Sequence, residues 1–249
     1  MPNSISQLSP AIYPDLRGRA VFVTGGGSGI GAAIVSAFAA QGARVAFVDV
    51  AAAASEALSA QLAANGQAAP WWRACDVRDV AALQSAIADA AAELGDFQTL
   101  VNNVASDDRH TLASITPAFY DDRIAINQRA ALFAMQAVVP GMQRLGGGAI
   151  VNLGSIGWQI KSADYPCYAI SKSAVNGLTR GTAASLGRDR IRVNTVTPGW
   201  VMTERQKQLW VTPEAEREID RNQCLPDRLQ PEDIAAMVLF LASDGARMC

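Results

Sequence analysis

Apolar residues in this chain come in short unbroken runs, separated by longer stretches in which apolar positions recur every three or four residues. Arg19–Gly25 (RAVFVTG) predicts a first buried strand, followed by a glycine-rich turn and a helix from about Gly29 to Gln41. Arg44–Asp49 predicts a second strand, Ala51–Asn65 an alanine-rich helix, Ala68–Ala74 a third strand, and Asp79–Leu94 a helix stopped by Gly95. Gln98–Asn103 follows as a fourth strand. A long helix over Thr116–Leu145 is halted by Gly146–Gly148, and Ala149–Gly154 forms a fifth strand. Cys167–Leu186 predicts a helix, Arg190–Val196 a sixth strand and Pro231–Ser243 a last helix. The strands are continuous apolar runs, and helices alternate with them. Both features predict one α/β domain over residues 1–249, with a doubly wound parallel sheet and helices on both faces.

Residues 200–228, from Trp200 to Arg228, break this alternation. They are polar, weakly periodic and long for a connection, which predicts a lid or binding loop. Composition narrows the partners. Half of the 249 residues are apolar, net charge is −2, and no basic run exceeds two residues, which argues against nucleic acid. Runs such as Val45–Val48 or Met237–Ala242 are too short to cross a bilayer, and the lead MPNSISQLSPAIYPDL has no signal-peptide pattern. Cys75, Cys167, Cys224 and Cys249 are scattered, which fits reduced thiols and a cytoplasmic location. With His110 as the single histidine, no metal site is expected, and a Ser-His-Asp hydrolase is disfavoured. Around Ser155 the sequence GSIG also lacks the GxSxG spacing of a nucleophile elbow.

TGGGSGIG occupies Thr24–Gly31, between a predicted strand and a predicted helix, where a glycine turn can present a helix N-terminus to a pyrophosphate. Gly25 permits the turn, Gly29 the approach of backbone to phosphate, and Gly31 close helix–sheet packing, while Ser28 adds a hydroxyl. Asp49 ends the second strand 18 residues past Gly31, near the spacing of a carboxylate that binds the adenosine ribose. No Arg or Lys follows it to neutralise a 2′-phosphate, so NAD is expected rather than NADP.

In YAISK, Tyr168 and Lys172 stand four residues apart and share one helix face. An ammonium about 5 Å from a phenol contributes roughly 3 kcal/mol at an effective dielectric near 20, about two pKa units, toward a base usable near neutral pH. Ser155 lies 13 residues before Tyr168, just after the fifth strand, where its hydroxyl can hold a reacting oxygen. Asn127 sits mid-helix, a mildly unfavourable place that suggests a polar task.

Together these elements resemble the short-chain dehydrogenase/reductase superfamily over nearly the whole chain. TGGGSGIG is similar to its TGxxxGxG motif, Asp76–Val77 to its adenine-contacting pair, and Pro198–Gly199 with Val201 and Thr203 to its nicotinamide-holding PG-x-V-x-T stretch. The resemblance implies a Rossmann-like fold and a catalytic tetrad of Asn127, Ser155, Tyr168 and Lys172, with Asn127 acting on Lys172 through water. It also implies cofactor contacts at Gly25, Ser28, Gly29, Ile30, Gly31, Asp49, Asp76, Val77, Asn103, Tyr168, Lys172, Pro198, Gly199, Val201 and Thr203, and a homotetramer packed through its long helices. Two departures stand out. The family's NNAG reads NNVA over Asn102–Ala105, and a final strand common in the family is expected to be missing after Cys249.

AIYPDLRGR, DDRH at Asp107–His110, GSIGW, PGWVMTERQ, LWVTPE and QCL further resemble bacterial sugar 1-dehydrogenases, which oxidise aldoses such as xylose, galactose, fucose or rhamnose to aldonolactones. This implies a monosaccharide substrate met by Asp107, Arg109, Ser155, Trp158, Gln159, Tyr168 and Trp200. Two alternatives stay open. One is oxidation of another secondary alcohol, such as a hydroxysteroid or 3-hydroxyacyl thioester; the other is a non-enzymatic NAD-binding scaffold.

Overall fold

The computed structural model describes residues 11–249; residues 1–10, part of the lead read above for targeting signals, lie outside the described residues. Six strands form one sheet: β1 (Ala20–Thr24), β2 (Arg44–Asp49), β3 (Trp71–Ala74), β4 (Thr99–Asn102), β5 (Gly148–Leu153) and β6 (Ile191–Val196). All neighbours pair in parallel, in the order β3-β2-β1-β4-β5-β6. The chain therefore winds outward in one direction from β1 and in the other from β4. The switch point between those two strands opens a crevice at their carboxyl ends, where α/β proteins bind ligands.

Continuous apolar strands are needed because both sheet faces are covered. Val21 and Val23 of β1 and Val45 and Phe47 of β2 face one core, with Ile34, Phe38, Ile234 and Val238 from α1 (Gly29–Ala40) and α9 (Pro231–Ala242). Ala20, Phe22, Ala46 and Val48 face the other, with Leu83, Ile87, Ala134 and Met142 from α3 (Val80–Leu94) and α5 (Ala130–Arg144). A fully buried side chain such as Phe22 or Phe38 contributes roughly 1.5–3 kcal/mol.

Three predicted elements differ in detail. The third strand begins at Trp71, not Ala68, because Pro70 lacks the N–H that would extend its ladder with β2. The long helix is three consecutive segments: α4 (Pro117–Ile124), capped by the Thr116 hydroxyl, a wider π turn over Ala125–Arg129, and α5. The stretch from Trp200 to Arg228 is not an irregular loop, since it holds α7 (Glu204–Leu209) and α8 (Pro213–Asn222). Their start signals were present in the sequence. Thr203 and Thr212 cap the two helices with their side-chain oxygens, and Pro213 occupies a first-turn position. The helices are too short and too polar to show a clear apolar period. The remaining helices, α2 (Ala52–Ala64) and α6 (Pro166–Leu186), lie close to their predicted bounds.

Candidate active site

A cleft of about 2210 Å³ opens along the carboxyl ends of the strands. It is larger than the roughly 300–1,000 Å³ of an ordinary small-ligand pocket, with room for a dinucleotide and a second small molecule together. Gly25, Ser28, Gly29, Ile30, Gly31 and Asp49 line one end; Ser155, Tyr168 and Lys172 line the middle, with Pro198, Gly199, Val201 and Thr203 beside them.

The glycine loop is built to let something approach its backbone. Gly29 has φ +53°, a conformation that side chains strain to adopt. A Cβ on Gly31 would lie 1.7 Å from the Gly25 carbonyl oxygen, so helix and loop can meet only at glycine. Ser28 stands at the N-cap without spending its side chain on the helix, which leaves its hydroxyl and the first free N–H groups of α1 to the cleft. Asp49 ties the loop in place: one carboxylate oxygen accepts from the Gly27 N–H at 2.8 Å and the other from the Ala51 N–H at 2.9 Å. A carboxylate has further lone pairs, so it remains able to accept from ribose hydroxyls. The lining cations are Arg109, Lys161, Lys172, Arg205 and Lys207; none of them comes from β2 or the turn after it. The residues present therefore fit a dinucleotide, with the helix N-terminus for its phosphates and Asp49 for a ribose.

Asn103 braces this loop. Its amide Nδ2 donates to the carbonyls of Thr24 at 3.2 Å and Gly25 at 2.8 Å, while its own N–H donates to the Thr24 hydroxyl. Val104, where the resembled family has alanine, packs against Gly25. Val77 lines the cleft, but Asp76 does not. The Asp76 carboxylate is taken up by Arg78, which also binds Asp122 at 2.7 Å and holds Asp76 below the usual carboxylate range.

Tyr168 and Lys172 lie on one face of α6, with Lys172 Nζ 5.7 Å from the Tyr168 ring centroid. Lys172 is buried and donates to the Leu153 carbonyl at 2.6 Å, which anchors the helix to the end of β5. Burial pushes its ammonium down to about 8. Burial also pushes the Tyr168 phenol up to about 12, against the opposing pull of the Ser155 hydroxyl. The spacing predicts a phenol lowered by its lysine. In the chain by itself burial raises the phenol instead, since enclosure removes its water and the Ser155 hydroxyl and Arg109 only partly oppose this. Ser155 accepts from the Gly157 N–H at 2.9 Å, a bond that fixes its oxygen beside Tyr168.

Asn127 sits in the π turn, a local widening often found at functional sites. Its amide clasps the backbone of Ser106, accepting at 2.7 Å and donating at 3.0 Å. Behind it lies a cavity of about 10 Å³ lined by Asn127, Lys172, Asn102, Asn152 and Thr24. That is the size of about one water, and the buried Asn102 Oδ1 has no hydrogen-bond partner among the described residues.

The far end of the cleft is polar. Asp107 accepts from Gln206 Nε2 at 2.7 Å and pairs with Arg205, which also binds Asp108 at 2.8 Å. Gln206 in turn accepts from the Trp200 indole at 2.9 Å, so α7 is fastened to the loop after β4. The guanidinium of Arg109 lies 4.4 Å from the Tyr165 ring centroid and 5.0 Å from that of Trp210. Gln159 lines the cleft. Trp158 does not, and its side chain is 37 % exposed. Sequence reasoning missed Tyr165, Arg205, Gln206 and Trp210. No periodicity marked them, and only α7 and the tertiary fold bring them to the site.

Comparison with known proteins follows the same lines. The profile of the family described as enoyl-(acyl carrier protein) reductase matches residues 25–249. D-xylose 1-dehydrogenase of Caulobacter vibrioides is 48 % identical over 242 residues, 97 % of this chain and 95 % of that protein. A probable galactose dehydrogenase of Rhizobium meliloti is 48 % identical over 94 % of this chain and 91 % of its own length. Among solved structures, 7α-hydroxysteroid dehydrogenase complexed with NADH and 7-oxo glycochenodeoxycholic acid superposes with a TM-score of 0.89 at 31 % identity, covering 95 % of this chain and 92 % of that one.

Proposed function

Since the chain belongs to the short-chain dehydrogenase/reductase family and is a dehydrogenase acting on a CH–OH group, we propose that it oxidises an aldose at C1 to the aldonolactone, with NAD as acceptor and Tyr168 as base. One observation carries this reading: the Tyr168 phenol, the Ser155 hydroxyl and the buried Lys172 ammonium share the cleft with the glycine cradle. Its polar far end, and relatives named for xylose and galactose, favour a sugar over an apolar alcohol.

The bound dinucleotide supplies a hydride acceptor and a positive charge. The chain's residues do the rest. Tyr168 takes the proton of the anomeric hydroxyl as the C1–H bond breaks, and Ser155 donates to that oxygen and holds it in line. Lys172 places its charge beneath the phenolate. Asn127 fixes the Ser106 backbone and borders the one-water cavity through which Lys172 can exchange a proton. Asp107, Gln159 and Trp200 offer acceptors, donors and an aromatic face to the remaining hydroxyls. Arg109 stacks its faces on Tyr165 and Trp210 and keeps its edge N–H groups for sugar oxygens. The segment from α7 to α8 serves as the lid, latched through Asp107. Exposed Tyr120, Leu132 and Ile170 on α4, α5 and α6 supply apolar contact for a homotetramer.

Following NADH absorbance over a panel of aldoses and simple secondary alcohols tests the reading. Turnover is expected with aldoses carrying a free anomeric hydroxyl and not with C1-methyl glycosides. Preference for a hydroxysteroid or a 3-hydroxyacyl thioester would overturn it. Asp49→Asn, which keeps an acceptor for the Gly27 N–H but removes the charge, is expected to raise the NADP-to-NAD ratio of kcat/KM by at least about tenfold, the scale of one charge-assisted hydrogen bond. Wild-type preference for NADP would sink the NAD assignment.

A further inference from the structure

His110 is the single histidine of the chain, and it lies in the loop after β4 beside Arg109. Its ring joins two elements far apart in sequence. Nδ1 lies 2.8 Å from the Asp108 carbonyl oxygen, and Nε2 lies 3.1 Å from the backbone nitrogen of Cys167. The His110 N–H donates to the Asp164 carbonyl at 2.7 Å, and the ring packs edge-on against Phe119 with centroids 4.8 Å apart. A carbonyl only accepts and an amide N–H only donates. Nδ1 therefore carries the proton and Nε2 is bare, so both bonds form together only in the neutral Nδ1–H imidazole.

Cys167 is the second residue of α6, and its N–H is among the helix's orphan donors. Tyr165, at the N-cap position, offers no side-chain acceptor, and Pro166 has no N–H to satisfy. Since no local residue caps this helix, His110 does so from 57 residues away. The next residue is Tyr168. We infer that His110 is a positioning residue: its neutral imidazole caps the helix one residue before the base and so sets where the phenol stands relative to Ser155. The inference rests on the reading of Tyr168 as the base.

An imidazolium has no acceptor, and its second N–H would face both the Cys167 N–H and the positive end of α6. The charged and titratable neighbours are Asp108 and Arg109 on the same loop, Phe119's neighbour Arg123 on α4, and Asp164 and Cys167 at the start of α6. The Asp108 carboxylate is occupied by Arg123 at 2.5 Å and Arg205 at 2.8 Å; to His110 itself, Asp108 and Asp164 present backbone oxygens.

The test uses the full untagged chain. In a 15N-labelled sample at neutral pH, the one histidine is expected to show a protonated Nδ1 and a bare Nε2. An Nε2–H tautomer, or the averaged signals of a free imidazole, would overturn the inference whatever the substrate proves to be. In kinetics with NAD and the best alcohol of the panel, His110→Gln keeps an acceptor at similar reach. It is expected to hold most of the wild-type kcat. His110→Ala is expected to lower kcat about tenfold through misplacement of the base, with NAD affinity unchanged. Equal losses of kcat in His110→Gln and His110→Ala would refute the cap. Failure of every aldose together with the expected tautomer would refute the sugar reading alone.

Discussion

Tyr168→Phe is expected to lower kcat for NADH formation at least about a thousandfold while leaving NAD affinity within about twofold, because the substitution removes the proposed proton acceptor and little else. The ring keeps its edge-on packing against Tyr165, whose centroid lies 5.3 Å away, and α6 keeps its anchor from Lys172 to the Leu153 carbonyl. Stability should therefore stay near wild type. A phenol that burial holds at about 12 is a poor base. It becomes usable only when positive charge gathers around it: the Lys172 ammonium, the Arg109 guanidinium, which already pulls it downward, and the charge of the bound oxidised cofactor. A single-turnover measurement at saturating NAD separates the chemical step from binding. NADH formation at an undiminished rate would mean that some other group accepts the proton, and would overturn the assignment of Tyr168 as base.

The second large effect is expected at Gly31. A methyl group there would sit 1.7 Å from the Gly25 carbonyl oxygen and 2.7 Å from the Asn103 amide, against backbone and an amide already bonded to the loop. Either α1 moves off the sheet or the glycine turn opens, and α1 cannot move freely because it packs along α9 through Ile34, Val35 and Phe38. Overpacking of this kind costs about 3 kcal/mol, at the upper end for one added methyl, and lowers Tm by roughly 6–12 °C in a chain of this size. The turn that opens is the one whose N–H groups are proposed to receive the pyrophosphate. Titration calorimetry with Gly31→Ala should thus show NAD binding weakened at least about a hundredfold, the scale of two lost hydrogen bonds to a charged group. A variant with wild-type affinity and Tm would show that the loop and the helix meet less closely than described.

Much of the framework was legible along the chain. Unbroken apolar runs such as AVFV and VAFV announced strands covered on both faces, since a half-exposed strand would alternate. The glycine run located its turn because few other residues tolerate φ +53° or an approach of 1.7 Å. Tyr168 and Lys172 were legible as a pair because helical spacing alone puts them on one face. The start of the third strand was not, since the pairing partner decides where Pro70 becomes intolerable.

The sequence by itself determined the local and periodic features: the order of strands and helices, the glycine turn, Asp49 at a strand end, and the Tyr168–Lys172 face. Each follows from backbone sterics or from side-chain period, which need no distant partner. Only the tertiary structure decided what comes from meetings across the chain. It raised the phenol rather than lowering it, turned Asp76 toward Arg78, left Trp158 outside the cleft and brought Trp210 to Arg109. It also capped α6 with a histidine from another loop. Desolvation and hydrogen-bond partnership depend on which surfaces meet, and residues 57 or 98 positions apart carry no mark in sequence of the meeting to come.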